Sequence, residues 1–196
     1  DLHLSIRSAA SDVYKRQGQE MSQEIGPEMN QEMAQDIGQA AIDRPLDDLI
    51  QTQVSLAKLT SYRVGGLAER FAAPRTTTEL QRCFEWADRH SAPVTVLGAG
   101  SNLLISDRGL PGLVLHTRHL RQMSLDRDRY QVTAGAGVSI PTLAWQMAKL
   151  GWAGLEWSVG VPGTVGGCVV MNAGAHGFEV KDSLVWAETI DPGQTD

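Results

Sequence analysis

Apolar positions recur along this chain at two different periods, and the switching between them predicts a mixed α+β fold. "AERFAAP" (Ala68 to Pro74) reads as a strand. In the following "TTTELQRCFEWADRH", Leu80, Cys83, Phe84 and Ala87 fall on one face at helical spacing. Thr76 and Glu79 stand at the spacing of a capping box, so the helix is expected to begin at Thr76 and to lay its apolar face on a sheet. "PVTVLG" is a short strand running into "GAGSN", and "NLLIS", "GLVLH" and "YQVTAGAG" are further strand candidates between Gly, Pro and Asp turns. A second helix is expected with Ser139 as N-cap, Ile140, Leu143, Ala144 and Met147 as its apolar face and Gly151 as its stop. "SLVWAETID" supplies one more strand. Neither an internal repeat nor a sustained heptad is present.

The pattern fails upstream of Pro45. "GQEMSQEIGPEMNQEMAQDIGQ" is rich in Gln, Glu and Met, and Gly18, Gly26, Pro27 and Gly38 interrupt every helical stripe, so it reads as a mobile tail. Its leading "SAASDVYKRQ" resembles translated adaptor sequence, and Met21 makes a more natural beginning. Residues 1–44 are therefore set aside as a disordered or artefactual tail. Residues 45–196 are expected to form one domain of two small α/β subdomains, at about 56–117 and 118–196.

Composition narrows the partners. The chain has 196 residues, 42% hydrophobic and 20% charged, typical of a soluble globular protein able to bury a core. Its net charge is -6 and its basic residues are scattered along the sequence, which argues against a nucleic-acid surface and requires any anionic ligand to be held locally. No apolar run approaches the roughly 20 residues of a membrane span, and the start lacks the compact apolar core of a secretory signal, so the cytoplasm is the expected compartment. Two cysteines, Cys83 and Cys168, cannot build a metal cluster by themselves; both are expected in the core, and no metal site is assigned.

Two glycine-rich segments carry the candidate chemistry. In "VLGAGSNLLISDRG", Gly98, Ala99, Gly100, Ser101 and Asn102 follow an apolar strand, so successive backbone N–H groups can point at one phosphate, with two side-chain donors beside them. A tight strand-to-strand turn would use the same residue types. The segment lacks the third glycine of a dinucleotide fingerprint and the Gly-Lys-Ser/Thr ending of a Walker loop. The second segment, "SVGVPGTVGGCVVMNAGAHG", sets Pro162, Gly163, Thr164, Gly166 and Gly167 before a short apolar run that ends at Asn172, Ala173 and Gly174. One or two helical turns there could aim N–H groups at a ligand, with a flat ring lying on the glycine backbone. Close helix-to-sheet packing followed by a turn is the structural alternative.

Together with "TSYRVGG", these segments match in order and spacing the FAD-binding half of the UDP-N-acetylenolpyruvoylglucosamine reductase family, over Thr60 to Gly177. The separate loops also resemble the wider group of flavoproteins with a vanillyl-alcohol-oxidase type of FAD domain. The resemblance implies two subdomains clasping FAD, with NADPH as hydride donor and UDP-N-acetylglucosamine enolpyruvate as substrate, reduced to UDP-N-acetylmuramate for peptidoglycan synthesis. It carries Gly98, Ala99, Gly100, Ser101 and Asn102 over as pyrophosphate contacts. Pro162, Gly163, Thr164, Gly166, Gly167, Asn172 and Gly174 become the wall along the flavin, with Tyr62 and Arg63 as further cofactor contacts. The family's Tyr-Arg-x-Ser segment, proton-donating serine and glutamate have no counterpart here, so no catalytic residue is assigned. The chain is expected to stop before the substrate-binding domain and to be inactive alone. His176 is read as a surface or cofactor-edge residue. An FAD-dependent oxidase, of the kind that attaches its flavin through His or Cys, and a non-catalytic flavin carrier share the same loops and remain alternatives.

Overall fold

The computed structural model describes residues 3–7 and 44–190. In chain order the strands are β1 (His3–Arg7), β2 (Ile50–Ser55), β3 (Leu67–Ala72), β4 (Val94–Leu97), β5 (Leu110–His116), β6 (Met123–Asp126), β7 (Gln131–Gly135), β8 (Gly174–Ala175), β9 (Phe178–Glu179) and β10 (Leu184–Ala187). The helices are α1 (Leu46–Leu49), α2 (Thr77–Arg89), α3 (Ile140–Lys149), α4 (Val165–Val170) and α5 (Val180–Ser183).

One sheet has the order β2-β3-β5-β4, with β3, β5 and β4 parallel and β2 antiparallel to β3. Central β5 is covered on both faces, which accounts for its unbroken apolar run at Leu113, Val114 and Leu115. Leu113 and Leu115 pack with Leu80, Cys83 and Ala87 of α2, and Val114 packs on the other side with Leu56, Phe71, Leu97 and Ile105. The second sheet is antiparallel, in the order β10-β1-β7-β6. Its core joins Val132 and Ala134 of β7 to Ile140, Leu143, Ala144 and Met147 of α3, with Trp157, Val165 and Cys168 beside them.

Thr76 caps α2 as expected, its hydroxyl accepting from the Glu79 N–H at 3.0 Å. The Glu79 carboxylate, 1% exposed, accepts from the Arg75 N–H at 2.7 Å and from the Arg44 N–H, Nε and Nη2 at 3.0, 2.9 and 2.8 Å. Burial pushes its pKa upward, but these donors and the Arg44 charge outweigh burial and hold the carboxyl at about 2. Arg44, set aside with the tail in the sequence reading, thus sits on the folded side of that boundary. His3–Arg7, from the same stretch, forms the strand between β7 and β10; residues 8–43 lie outside the described residues.

One local expectation is corrected. "NLLIS" forms no strand: Ile105 is buried while Leu104 is exposed, and the segment is an extended return between β4 and β5. Ser139 occupies the N-cap of α3 but makes no side-chain cap bond. Its backbone is engaged in an isolated bridge with Thr164. Cys83 and Cys168 are buried free thiols, pushed up by burial to about 12 and about 11. Among the described residues no helix is long and apolar enough to cross a membrane, and no group of three metal-ligating side chains occurs.

Candidate functional site

The carboxyl ends of neighbouring parallel strands leave a crevice in which ligands of open α/β sheets bind. β4 and β5 are such neighbours, and the chain leaving Leu97 must travel back along the sheet to begin again at Leu110. The first glycine segment is the start of that return. The second is brought against it from the other sheet: Ser101 Oγ donates to the Pro162 carbonyl at 3.1 Å, across 61 positions of sequence.

Two adjoining cavities result. One, of about 570 Å³, is lined by Gly98, Ala99, Gly100, Ser101 and Asn102 on one side and by Pro162, Gly163, Thr164, Gly166, Gly167, Asn172 and Gly174 on the other. These are the residues that the two segments offered from sequence. Val96, Leu103, Thr117, Ala136, Cys168, Val170, Met171 and Ala173 complete mainly apolar walls that sequence reasoning missed. The other cavity, of about 630 Å³, shares Ala99, Pro162, Gly163 and Thr164 with the first, and Lys58, Arg63, Arg118 and Arg121 line it. Arg63 therefore joins the site through the second cavity, while Tyr62 borders neither and is exposed.

The glycines serve different ends. Gly100 has φ +65°, and a Cβ there would lie 2.2 Å from the Leu59 carbonyl oxygen, so this glycine lets two backbone segments touch. A Cβ at Gly166 would lie 2.9 Å from that of Ala136, which is close helix-to-sheet packing. Gly167 faces the cavity: a Cβ there would meet only Thr164 Oγ1, at 3.6 Å. The start of α4 is not a free donor array either. Val165 N–H donates to the Val138 carbonyl at 2.8 Å and Gly166 N–H to that of Ala136 at 3.0 Å. Asn172 spends its amide on Glu179 and on the Lys181 N–H, pinning the turn at the cavity rim.

One polar atom stands out. Thr164 Oγ1 is buried without a hydrogen-bond partner where the two cavities meet, and a Cβ at Gly98 would lie 2.6 Å from it. Buried hydroxyls are ordinarily paired. A ligand entering either cavity could supply the missing partner.

His116, at the end of β5, hydrogen-bonds the Gly98 backbone and so anchors the first loop. Burial, and after it the charges of His119 and Arg118, push its pKa down to about 4, against a smaller upward pull from the Gly98 bond. His116 is therefore neutral in the fold at pH 7. Above pH 6.5 it leaves stability independent of pH; as pH falls from 6.5 to about 4 the unfolded chain takes up the proton first and stability drops. The drop expected from this group is about 3 kcal/mol. Melting temperatures across that range should fall more shallowly in His116→Asn than in the parent protein, and parallel curves would exclude His116 as the source.

His176 lies elsewhere, in a separate small cleft with Trp157 and Phe178. The flavin read from sequence fits the larger site on three observations: an apolar cleft with bare backbone at Gly167, a partnerless Thr164 hydroxyl, and a cationic cavity adjoining it.

Comparisons with known proteins identify the family. Residues 68–195 match the family described as FAD binding domain. The chain is 59% identical over 146 residues to UDP-N-acetylenolpyruvoylglucosamine reductase of Acaryochloris marina, covering 74% of this chain and 47% of that protein. A crystal structure of UDP-N-acetylenolpyruvylglucosamine reductase from Thermus caldophilus superposes with TM-score 0.58 at 36% identity, covering 68% of this chain and 46% of the other. A solvent-stable cholesterol oxidase shares the fold alone, at TM-score 0.51 and 23% identity over 65% of this chain and 24% of that one. The chain spans about half the length of the curated relatives it matches. Its α+β fold is of the vanillyl-alcohol-oxidase type, its cofactor is FAD, and the chain belongs to the FAD binding domain family, as the flavin-binding region of the UDP-N-acetylenolpyruvoylglucosamine reductase kind.

Proposed function

We propose that the chain is the cofactor-holding part of an NADPH-dependent reductase that converts UDP-N-acetylglucosamine enolpyruvate to UDP-N-acetylmuramate, a cytoplasmic step of peptidoglycan precursor synthesis. The observation that carries this reading is the convergence of both glycine segments on one apolar cavity, in a chain so similar to a reductase of that name. The flavin supplies hydride transfer when bound; the protein supplies binding, orientation and electrostatics. In this reading Gly98, Ala99, Gly100, Ser101 and Asn102 form one lip of the cofactor site. Pro162, Gly163, Thr164, Gly166, Gly167, Asn172 and Gly174 form the other. Gly167 offers bare backbone to a flat ring, and the exposed side chains of Val170 and Met171 gain burial when a ring covers them.

An oxidase that anchors its flavin covalently is the competing reading, and the cavity disfavours it. Cys168 borders the cleft, but burial raises its thiol to about 11, leaving little thiolate at neutral pH. His176 stands in another cleft. The expected result is that the purified chain carries about one FAD per protein molecule and that denaturation releases it entirely as free dinucleotide. Flavin remaining with the precipitated polypeptide would favour the oxidase instead, and absence of any flavin uptake would overturn both.

A further inference from the structure

The antiparallel sheet is assembled from two distant parts of the chain. β6, β7 and β10 lie within residues 68–195, the extent of the family match, whereas β1 lies outside it and is separated from the rest of the described chain by residues 8–43. Yet β1 is not an edge strand: the order is β10-β1-β7-β6. It runs antiparallel to both neighbours. His3 registers with Gly135 and Arg7 with Gln131 of β7, while Leu4, Ser5 and Ile6 register with Ala187, Trp186 and Leu184 of β10. Without β1, β7 and β10 would stand about 10 Å apart, twice the spacing of hydrogen-bonded strands, each with a row of unpaired backbone groups. The family-matched sequence thus builds a slot one strand wide, and a segment from outside that match fills it.

Strand addition of this kind draws its affinity from main-chain hydrogen bonds and its selectivity from alternate side-chain positions. Leu4 and Ile6 register with Ala134 and Val132, both buried in the core beneath α3, and Ile6 also registers with Leu184, which packs against that core. Ser5, between them, registers with Thr133 and with the exposed Trp186. On the β10 side the register shifts between Ser5 and Ile6, skipping Val185, so that wall does not demand an unbroken ladder. The slot therefore asks for apolar residues at alternate positions and accepts polar ones between. We infer that the gap between β7 and β10 is a strand-acceptor site: it takes an extended peptide of that pattern, antiparallel to both walls, and His3–Arg7 is its exchangeable occupant rather than a fixed part of the sheet. The slot also adjoins the cofactor wall. β7 ends at Gly135, paired with His3, and the next residue, Ala136, lines the apolar cavity and accepts from the Gly166 N–H at 3.0 Å.

The test uses a fluorescein-labelled peptide with the sequence of residues 1–8 and the whole 196-residue chain, as the parent and as Ser5→Pro. Proline cannot donate to a ladder and is not tolerated in a strand paired on both sides, so the variant vacates its own slot. In the parent the tethered strand competes at an effective concentration on the order of millimolar. Ser5→Pro should therefore bind the peptide one to one and at least tenfold more tightly than the parent does, and an unlabelled peptide carrying Ser5→Pro should not compete. Bound peptide should raise the melting temperature of the variant towards that of the parent. Equal affinity of parent and variant overturns the inference, as does the absence of saturable binding to a folded variant. Self-association of the variant that the peptide does not reverse, read by light scattering, overturns it too, since the open edges would then pair with a second copy. If Ser5→Pro does not fold, Leu4→Gly/Ile6→Gly is read by the same titrations. Failure of both to fold also overturns the inference, because β1 would then be integral to the sheet. None of these readouts involves flavin, so the cofactor reading stands or falls separately.

Discussion

Replacing Arg44 with alanine should cost about 3–5 kcal/mol of folding stability, because it strands a buried carboxylate. Alanine keeps the backbone N–H bond to Glu79 but removes the two guanidinium bonds to that carboxylate, at 2.9 and 2.8 Å, its charge partner, and the Arg44 Nη2 bond to the Ala73 carbonyl at 2.7 Å. Replacing the two partners together, as Arg44→Met with Glu79→Leu, should recover most of that loss, since a buried pair exchanged for apolar groups of similar volume is often neutral. The same pair sets an acid limit. Because the folded pKa of Glu79 is depressed from 4.5 to about 2, its stabilisation is complete above pH 4.5 and disappears as pH falls towards 2. The amount at stake is about 3 kcal/mol, and Glu79→Gln should flatten the curve in that interval. Chemical denaturation of Arg44→Ala decides the matter: a change under about 1 kcal/mol would mean that the pair does not hold α2 to the chain preceding α1.

Gly100→Val should destabilise the protein by about 2–5 kcal/mol, combining the strain of a left-handed residue with overpacking. Its side chain would drive into the Leu59 carbonyl and the Thr60 backbone, not into the cavity. Flavin binding should fall with it, because the displaced loop carries Ser101 and Asn102. Gly167→Val separates the two causes: a Cβ there meets nothing closer than 3.6 Å, so the fold should survive while the apolar cavity narrows and FAD affinity drops at least tenfold. A Gly167→Val protein with the parent's affinity would remove the flavin ring from that wall.

Much of the architecture was legible where local chemistry and tertiary packing agree. Of the α2 face read from Leu80, Cys83, Phe84 and Ala87, all but the half-buried Phe84 are buried, and the α3 face read from Ile140, Leu143, Ala144 and Met147 is buried throughout. "NLLIS" misled because three adjacent apolar residues imitate a strand, whereas Ile105 alone is buried and Leu103 and Leu104 stand at the surface. The two glycine segments pointed to a site, and the structure unites them. Composition could not separate glycines that make room for a ligand from those, like Gly100 and Gly166, that let backbone meet backbone. The cationic cavity was illegible for another reason. Lys58 and Arg63 lie between β2 and β3, while Arg118 and Arg121 follow β5, and the loop before β3 reaches that end of the sheet by folding onto the segment after β4, where the Ser61 N–H donates to the Gly100 carbonyl at 3.0 Å.

The hydroxyl of Ser101 on the Pro162 carbonyl ties a loop of one sheet to a loop of the other. A phosphate loop built from one contiguous strand-turn-helix can form as soon as that segment folds, but here neither lip has an opposite side until both sheets are in place. Cofactor capture is therefore a late, long-range event in folding, and the folded state gains from the ligand by mass action as a whole. Substitutions buried far from the cleft, in either sheet, will be felt as changes in flavin retention.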